Sequence, residues 1–250
     1  WSISAQDIFT LQDPGNKTVD LKVGWKYKIT DDSRFAQVEY NDQDWREFQP
    51  AGDIVEEIPA DAKEGIGWMR LRFKVDGETS SQKLTMMIRQ SVASEIYLNG
   101  QLIKKYGVIS QNPDKIRAFD PRWEPLQFTL SVDSVQVVAV RFAVQPEINY
   151  ASHFGVPNPF VFIKVTREDV ALYKFKNIYM RPWIDLFMQG MIFMVFVVHL
   201  CFFIMYPTQR ANLFFSLAAL SNVLGSMIHN FYYYAATPDT KFFFAVAVSI

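Results

Sequence analysis

The side chains best suited to holding a ligand crowd into one irregular stretch. From Tyr106 through Asn112-Pro113-Asp114 to Arg117, Asp120-Pro121-Arg122 and Trp123 the chain follows neither helical nor strand periodicity. Loops of this length on a compact scaffold are often binding loops. An indole face beside guanidinium and carboxylate groups is the equipment that sugars need: a flat apolar platform plus groups that bond hydroxyls in pairs. Arg117, Asp120, Arg122 and Trp123 supply it, and Trp68 with Arg70 is expected nearby. The competing reading makes Trp25, Trp45 and Trp68 core residues and lets Arg70 bond buried backbone.

Catalysis finds no comparable grouping. Gly65-Ile66-Gly67 lacks the third glycine and the following helix of a dinucleotide fingerprint, and no Walker loop, His-Glu-x-x-His or Cys-x-x-Cys occurs. Asp31-Asp32 and Glu56-Glu57 are neighbours in sequence, which face opposite sides of a strand and suit solvated turns better than acid and base pairs. His153 has no second His or Cys near it in sequence. No metal, cofactor or catalytic residue is expected in this stretch of chain.

The elements that must carry the loop divide at Ile184. Every charged residue except Asp185, Arg210, Asp239 and Lys241 lies before it, so the overall net charge of -1 averages two unlike parts. No cluster of Lys and Arg interleaved with aromatics offers a surface for nucleic acid. The only cysteine, Cys201, lies in the apolar part, which leaves the first part without disulfides. The start at Trp1 suits a mature chain whose signal peptide has been removed.

Before Arg167 the pattern is that of short strands. Leu21, Val23, Trp25, Tyr27 and Ile29 alternate with Lys22, Gly24, Lys26 and Lys28, which predicts one strand with a buried and a wet face. Further strands are predicted over 69–75, 84–88, 94–98, 101–103, 126–130, 135–144 and 160–165. Asn99-Gly100 predicts a tight hairpin, because both residues tolerate positive φ. The segment 35–48, with Phe35, Tyr40, Trp45 and Phe48, predicts an irregular cover anchored by its aromatics. Many short strands without alternating helices give an all-β antiparallel, jelly-roll-like sandwich.

Ile184 to Tyr206 carries no acid, Lys or Arg after Asp185, and about twenty such residues cross a bilayer's hydrocarbon core as a helix. A second span is predicted over 211–234 and the start of a third over 242–250. The expected organisation is a β-sandwich over 1–167, a juxtamembrane joint over 168–183 and a helical transmembrane region over 184–250. In the second span Ala218, Asn222, Gly225, Ser226 and His229 recur at helical spacing, with Asn230 beside them. Small and amide residues favour close helix packing. A switching role for His199, Asn222, Ser226, His229 and Asn230 is the sharper expectation, since polar groups are costly in lipid.

Two resemblances extend this reading. Trp25-Lys26-Tyr27, Asn41-Asp42-Gln43-Asp44-Trp45, Gly67-Trp68-Met69-Arg70-Leu71-Arg72-Phe73 and Ser94-Glu95-Ile96-Tyr97-Leu98-Asn99-Gly100 resemble the galactose-binding-like jelly roll found at the front of β-galactosidase and β-glucuronidase enzymes and in bacterial surface receptors. The catalytic barrel of those hydrolases has no counterpart here. That sandwich followed by Arg181-Pro182-Trp183, Phe203-Ile204-Met205-Tyr206-Pro207 and Asn212-Leu213-Phe214-Phe215-Ser216 is similar to the bacterial seven-transmembrane receptors with diverse intracellular signalling modules. This similarity implies an inner-membrane, multi-pass protein with a periplasmic sensor domain. It also implies a cytoplasmic output such as a histidine kinase of a two-component system, a diguanylate cyclase or a phosphatase. A literal count of flanking positive charges would put the first domain in the cytoplasm, but large domains translocate largely regardless of such charges. The expected partners are the bilayer, a carbohydrate or similar small ligand and a second copy in a homodimer. The alternatives are a membrane-anchored interaction or scaffold module without signalling, and a piece of a membrane-bound carbohydrate enzyme.

Overall fold

The computed structural model describes residues 9–80, 82–130, 135–148, 150 and 158–249. His153 and its flanking loop lie outside them. The strands are β1 (Thr10–Leu11), β2 (Val19–Leu21), β3 (Lys26–Lys28), β4 (Arg46–Glu47), β5 (Ile66–Val75), β6 (Leu84–Gln90), β7 (Ala93–Leu98), β8 (Gln101–Tyr106), β9 (Pro125–Gln127), β10 (Val135–Ala143) and β11 (Val161–Arg167). The helices are α1 (Gly77–Ser80), α2 (Glu168–Met205), α3 (Arg210–Tyr234) and α4 (Pro238–Ser249). The protein is a mostly β domain followed by helices, and the chain falls into two compact units that divide near Tyr173.

The strands form two sheets. One has seven strands in the order β4-β3-β5-β10-β7-β8, with β1 added in parallel to β5; the other has four in the order β2-β11-β6-β9. All other pairings are antiparallel. Successive side chains of a strand point to opposite faces, so each long strand divides its residues between two environments. Met69, Leu71 and Phe73 of β5 join Val138, Val140 and Phe142 of β10 and Ile163 and Val165 of β11 in the main core. Fully burying a side chain of this size contributes about 1.5–3 kcal/mol, which gives a domain without disulfides its cohesion. The outer residues of β5 and β10, Trp68 and Ala139, are roofed by Phe35, Ala36 and Trp45 in a second cluster. This is the aromatic-anchored cover expected over 35–48.

Two turns show how local sequence positions the strands. Asn99 and Gly100 have φ of 49° and 84°, and the hairpin they close pairs Leu98 with Gln101. Positive φ at both central residues matches the right-handed twist of the flanking strands. The stretch from Leu21 to Ile29 is not the single predicted strand. β2 belongs to the four-stranded sheet and β3 to the seven-stranded one, and Gly24 turns the chain between them at φ 87°. Trp25 Nε1 donates to Leu21 O at 2.9 Å across that crossing. The two-residue alternation survives because Leu21, Trp25 and Tyr27 all reach the core shared by both sheets, while Val23 is 80% exposed.

α2 begins at the residue after β11 and runs for 38 residues with Pro182 inside it, so the expected joint over 168–183 is helical. α2 and α3 are both long and apolar enough to cross a membrane. α4 has 12 residues.

Candidate functional site

The loop after β8 is held by its own backbone. Gly107 takes φ 74°, and Val108 and Arg117 exchange two N–H···O bonds of 2.8 and 3.0 Å. Asn112 caps the short 3-10 turn Pro113–Lys115 by accepting from Asp114 N at 3.0 Å. Arg117 Nη1 donates to Asp114 O and Ile116 O, each at 2.7 Å, so this guanidinium braces the loop that carries it.

Further along, Asp120 is buried and acts as the loop's anchor. Its carboxylate accepts from Arg89 Nε and Nη2 at 3.2 and 3.1 Å, from Gln90 N at 3.3 Å and from Arg122 N at 2.9 Å. Charge-assisted bonds are the stronger kind, and a buried carboxylate needs them. Arg122 and Trp123 then both adopt positive φ, 55° and 67°. Bulky residues seldom do so, and such strain persists where the surroundings over-determine it. Here the constraint is Asp120 on one side and the bond from Trp123 N to Ile88 O, 2.9 Å, on the other.

The result is a fixed indole over the outer face of the four-stranded sheet. Trp123 meets Phe162 edge to face with centroids 5.3 Å apart. Lys164 Nζ lies 4.9 Å from the Trp123 ring centre and 4.7 Å from that of Phe162, and Lys22 Nζ lies 5.1 Å from the latter. Asp20 bridges the two lysines at 3.2 and 3.5 Å. Two aromatic rings, two ammonium groups and one carboxylate thus share a partly exposed surface that sets apolar area beside charged groups. Sequence reasoning named Asp120, Arg122 and Trp123 but missed Phe162, Lys164, Lys22 and Arg89. The signal was present in Val161-Phe162-Ile163-Lys164-Val165, where an aromatic occupies the non-core parity of a strand.

Trp68 and Arg70 do not join this surface. They point to the outer face of the other sheet, where Trp68 packs against Phe35 and Tyr97 at centroid distances of 6.1 and 5.2 Å. Arg70 is fully buried beneath the cover. It donates to Asp42 at 2.9 Å, to Gln37 O at 3.0 Å, to Tyr40 O at 3.4 Å and to Phe35 O. Burial pushes its pKa down, with the Asp42 carboxylate opposing the shift. Arg72 joins the same carboxylate at 3.2 Å. The sequence pattern Asn41-Asp42-Gln43-Asp44-Trp45 therefore supplies a counter-ion for the arginines of β5. A cleft of about 890 Å³ beside residues 38–43 is lined by Lys26, Tyr40, Asp42 and Arg72, but Asp42 and Arg72 are already bonded to each other.

On the same sheet Arg141 bonds Asp31 through two 2.7 Å contacts and Glu95 at 3.2 Å. The Arg141 bond holds the Asp31 carboxyl below its ordinary value. Burial raises Glu95, but its bonds from Lys105, Tyr97 and Arg141 outweigh that and leave it lowered. Burial, and then the adjacent Glu95 carboxylate, pushes Tyr97 up to about 12.

In the helical unit the residues expected to pack or switch separate into two places. His199 Nδ1 lies 3.0 Å from Asn212 Oδ1 and its ring is stacked obliquely on Phe215 at 5.3 Å. Asn222, Ser226, His229 and Asn230 instead line a cavity of about 630 Å³ together with Arg181, Asp185 and Gln189 from α2. Among the described residues no group of three or more His, Cys, Asp or Glu is placed to hold a metal ion.

No family model and no curated protein matches this chain. Solved structures with a similar arrangement include a calcium-binding mutant of Bacteroides uniformis beta-glucuronidase 2, with 16% identity, a TM-score of 0.43, and coverage of 60% of this chain and 18% of that one. A beta-glycosidase from Bacteroides vulgatus is similar at 17% identity and a TM-score of 0.41, over 60% of this chain and 20% of its own. An uncultured Clostridium sp. beta-glucuronidase is similar at 18% identity and a TM-score of 0.40, over 61% and 29%. The chain therefore spans less than a third of each of these structures.

Proposed function

We propose that this chain is the sensing part of a bacterial signal-transduction receptor, in which a galactose-binding-like sandwich outside the cytoplasm binds a carbohydrate on the Trp123 surface. The signal then passes through inner-membrane helices to a cytoplasmic output module. The supporting observation is the junction between strand and helix. β11 ends at Arg167 and α2 starts at Glu168, with no linker residue between them. The first turn is tied to the four-stranded sheet: Glu168 N donates to Lys83 O at 3.0 Å, the Glu168 carboxylate accepts from Gln127, and Ala171 is fully buried. Phe162 and Lys164, part of the aromatic surface, lie on the same strand that becomes this helix. A ligand that shifts β11 against β6 has a direct mechanical route into α2, provided it binds the two arrangements with different affinity.

A pure scaffold would not need the fixed indole. The discriminating experiment is a thermal-shift panel of neutral and acidic saccharides on the whole chain in nanodiscs. Saturable binding stabilises the sandwich by about 2.7 kcal/mol at a hundredfold excess over Kd. Trp123→Ala should abolish the response, whereas Arg117→Ala, which removes a loop brace, should weaken it. A panel with no saturable response, or one unaffected by Trp123→Ala, overturns the reading.

A further inference from the structure

The cavity between α2 and α3 is lined by charged, neutral polar and apolar side chains. At one end Arg181 and Asp185 stand four residues apart on one face of α2, which places their Cβ atoms about 6 Å from each other. His229 and Asn230 line the wall contributed by α3 at this end. The lining also holds the neutral groups Gln189, Asn222 and Ser226 and the apolar side chains of Met188 and Ile192. Gln189 is buried. Among the described residues neither Arg181 nor Asp185 has an ion-pair partner. Outside the cavity, Phe187, Met191 and Met194 are exposed on α2.

We infer that this cavity holds the headgroup of a bilayer phospholipid carrying a primary ammonium, the chemistry of phosphatidylethanolamine. The inference rests on α2 and α3 being membrane helices and is independent of any saccharide site. Asp185 begins the apolar run of α2, which is the level of the lipid headgroups, and Tyr233 and Tyr234 on α3 are of the type enriched there. The phosphate meets Arg181, whose planar fork suits it. The two-carbon linker carries the ammonium to Asp185, which accepts its N–H bonds. The ester carbonyls then reach the amides of Gln189 and Asn222, and the acyl chains follow Met188, Ile192 and the exposed apolar surface. An anionic headgroup would leave Asp185 facing like charge, and a choline headgroup has no N–H to give it.

Native mass spectrometry of the whole chain, released from vesicles containing equal fractions of phosphatidylethanolamine, phosphatidylcholine and phosphatidylglycerol, reads the occupant directly. Phosphatidylethanolamine should be retained about tenfold over phosphatidylcholine, the ratio that a lost charge-assisted hydrogen bond produces. Asp185→Asn should erase that preference and Arg181→Gln should lower retention of the same lipid. Arg210→Gln, at the opposite end of the hairpin, should leave both unchanged. Circular dichroism shows whether each variant keeps its helices, and if one variant does not, the other carries the test. Equal retention of the three lipids, a preference for phosphatidylglycerol, or a preference that survives Asp185→Asn in folded protein overturns the inference. A chain that fails to float with vesicles overturns the membrane reading itself, and this inference with it.

Discussion

Asp42→Asn isolates the interaction that fastens the aromatic cover to the sheet. The wild-type carboxylate accepts from Arg70 at 2.9 Å and Arg72 at 3.2 Å, and the Arg70 side chain is 0% exposed. Removing one partner of a buried pair leaves an uncompensated charge and costs about 3–5 kcal/mol. Arg70 keeps the carbonyls of Phe35, Gln37 and Tyr40, so the lower end applies, about 3 kcal/mol. For a domain of this size that corresponds to roughly 6–12 °C in Tm. Tryptophan fluorescence is the assay, because Trp45 and Trp68 lie in the cluster above Arg70. Asp44→Asn is the control: its pair with Lys28 is exposed and screened by solvent, so its loss should leave the melting temperature nearly unchanged. Equal melting of Asp42→Asn and Asp44→Asn would refute the assignment of Arg70 and Asp42 as the fastening.

Three further outcomes follow from the same structure. Asp31 and Glu95 are lowered from ordinary values of 3.8 and 4.5, so each adds stability above its unfolded value that disappears as pH falls through the folded one. Arg141→Gln should therefore be less stable than wild type at neutral pH, with the gap narrowing below about pH 4 in urea titrations; a pH-independent gap would contradict it. Gly107→Ala places a Cβ 2.1 Å from Arg117 O at φ 74° and should cost about 1–3 kcal/mol, with hydrogen exchange rising across residues 108–117; unchanged exchange would contradict the brace. Asp120→Asn should release the strained backbone at Arg122 and Trp123, measured as loss of saccharide-induced stabilisation with the sandwich still folded, whereas an intact response would show that the anchor is dispensable.

The β class, the Asn99-Gly100 hairpin, the aromatic cover and the two apolar helices were legible because each rests on local pattern: period two, paired positive φ, spaced aromatics and run length. The division of 21–29 between two sheets was not legible. Alternation reports which side chains are buried but not which sheet buries them, and both sheets share one core. The direct passage from Arg167 into α2 was hidden for a related reason, since Lys174, Lys176 and Arg181 break the apolar residues of 168–183 into short pieces and Pro182 argues against a continuous helix. For the candidate site, Asp120 and Trp123 stood out as an acid and an aromatic in an irregular loop. Their companions Phe162, Lys164 and Lys22 come from β11 and from the stretch just after β2, and only strand pairing brings residues so distant in sequence together. Arg70 was ambiguous until its acceptors were known, because a buried guanidinium and a ligand-binding one look alike in sequence.

Coupling between the sandwich and the helices is the claim on which the receptor reading stands. Its direct measurement is hydrogen exchange of the whole chain in nanodiscs, with and without the saccharide that stabilises it most. The account predicts altered exchange in β11 and in α2 from Glu168 through Trp183, and loss of the change beyond Lys176 when four glycines are inserted after that residue. Altered exchange confined to the sandwich, or a change beyond Lys176 that survives the insertion, would contradict transmission from β11 into α2.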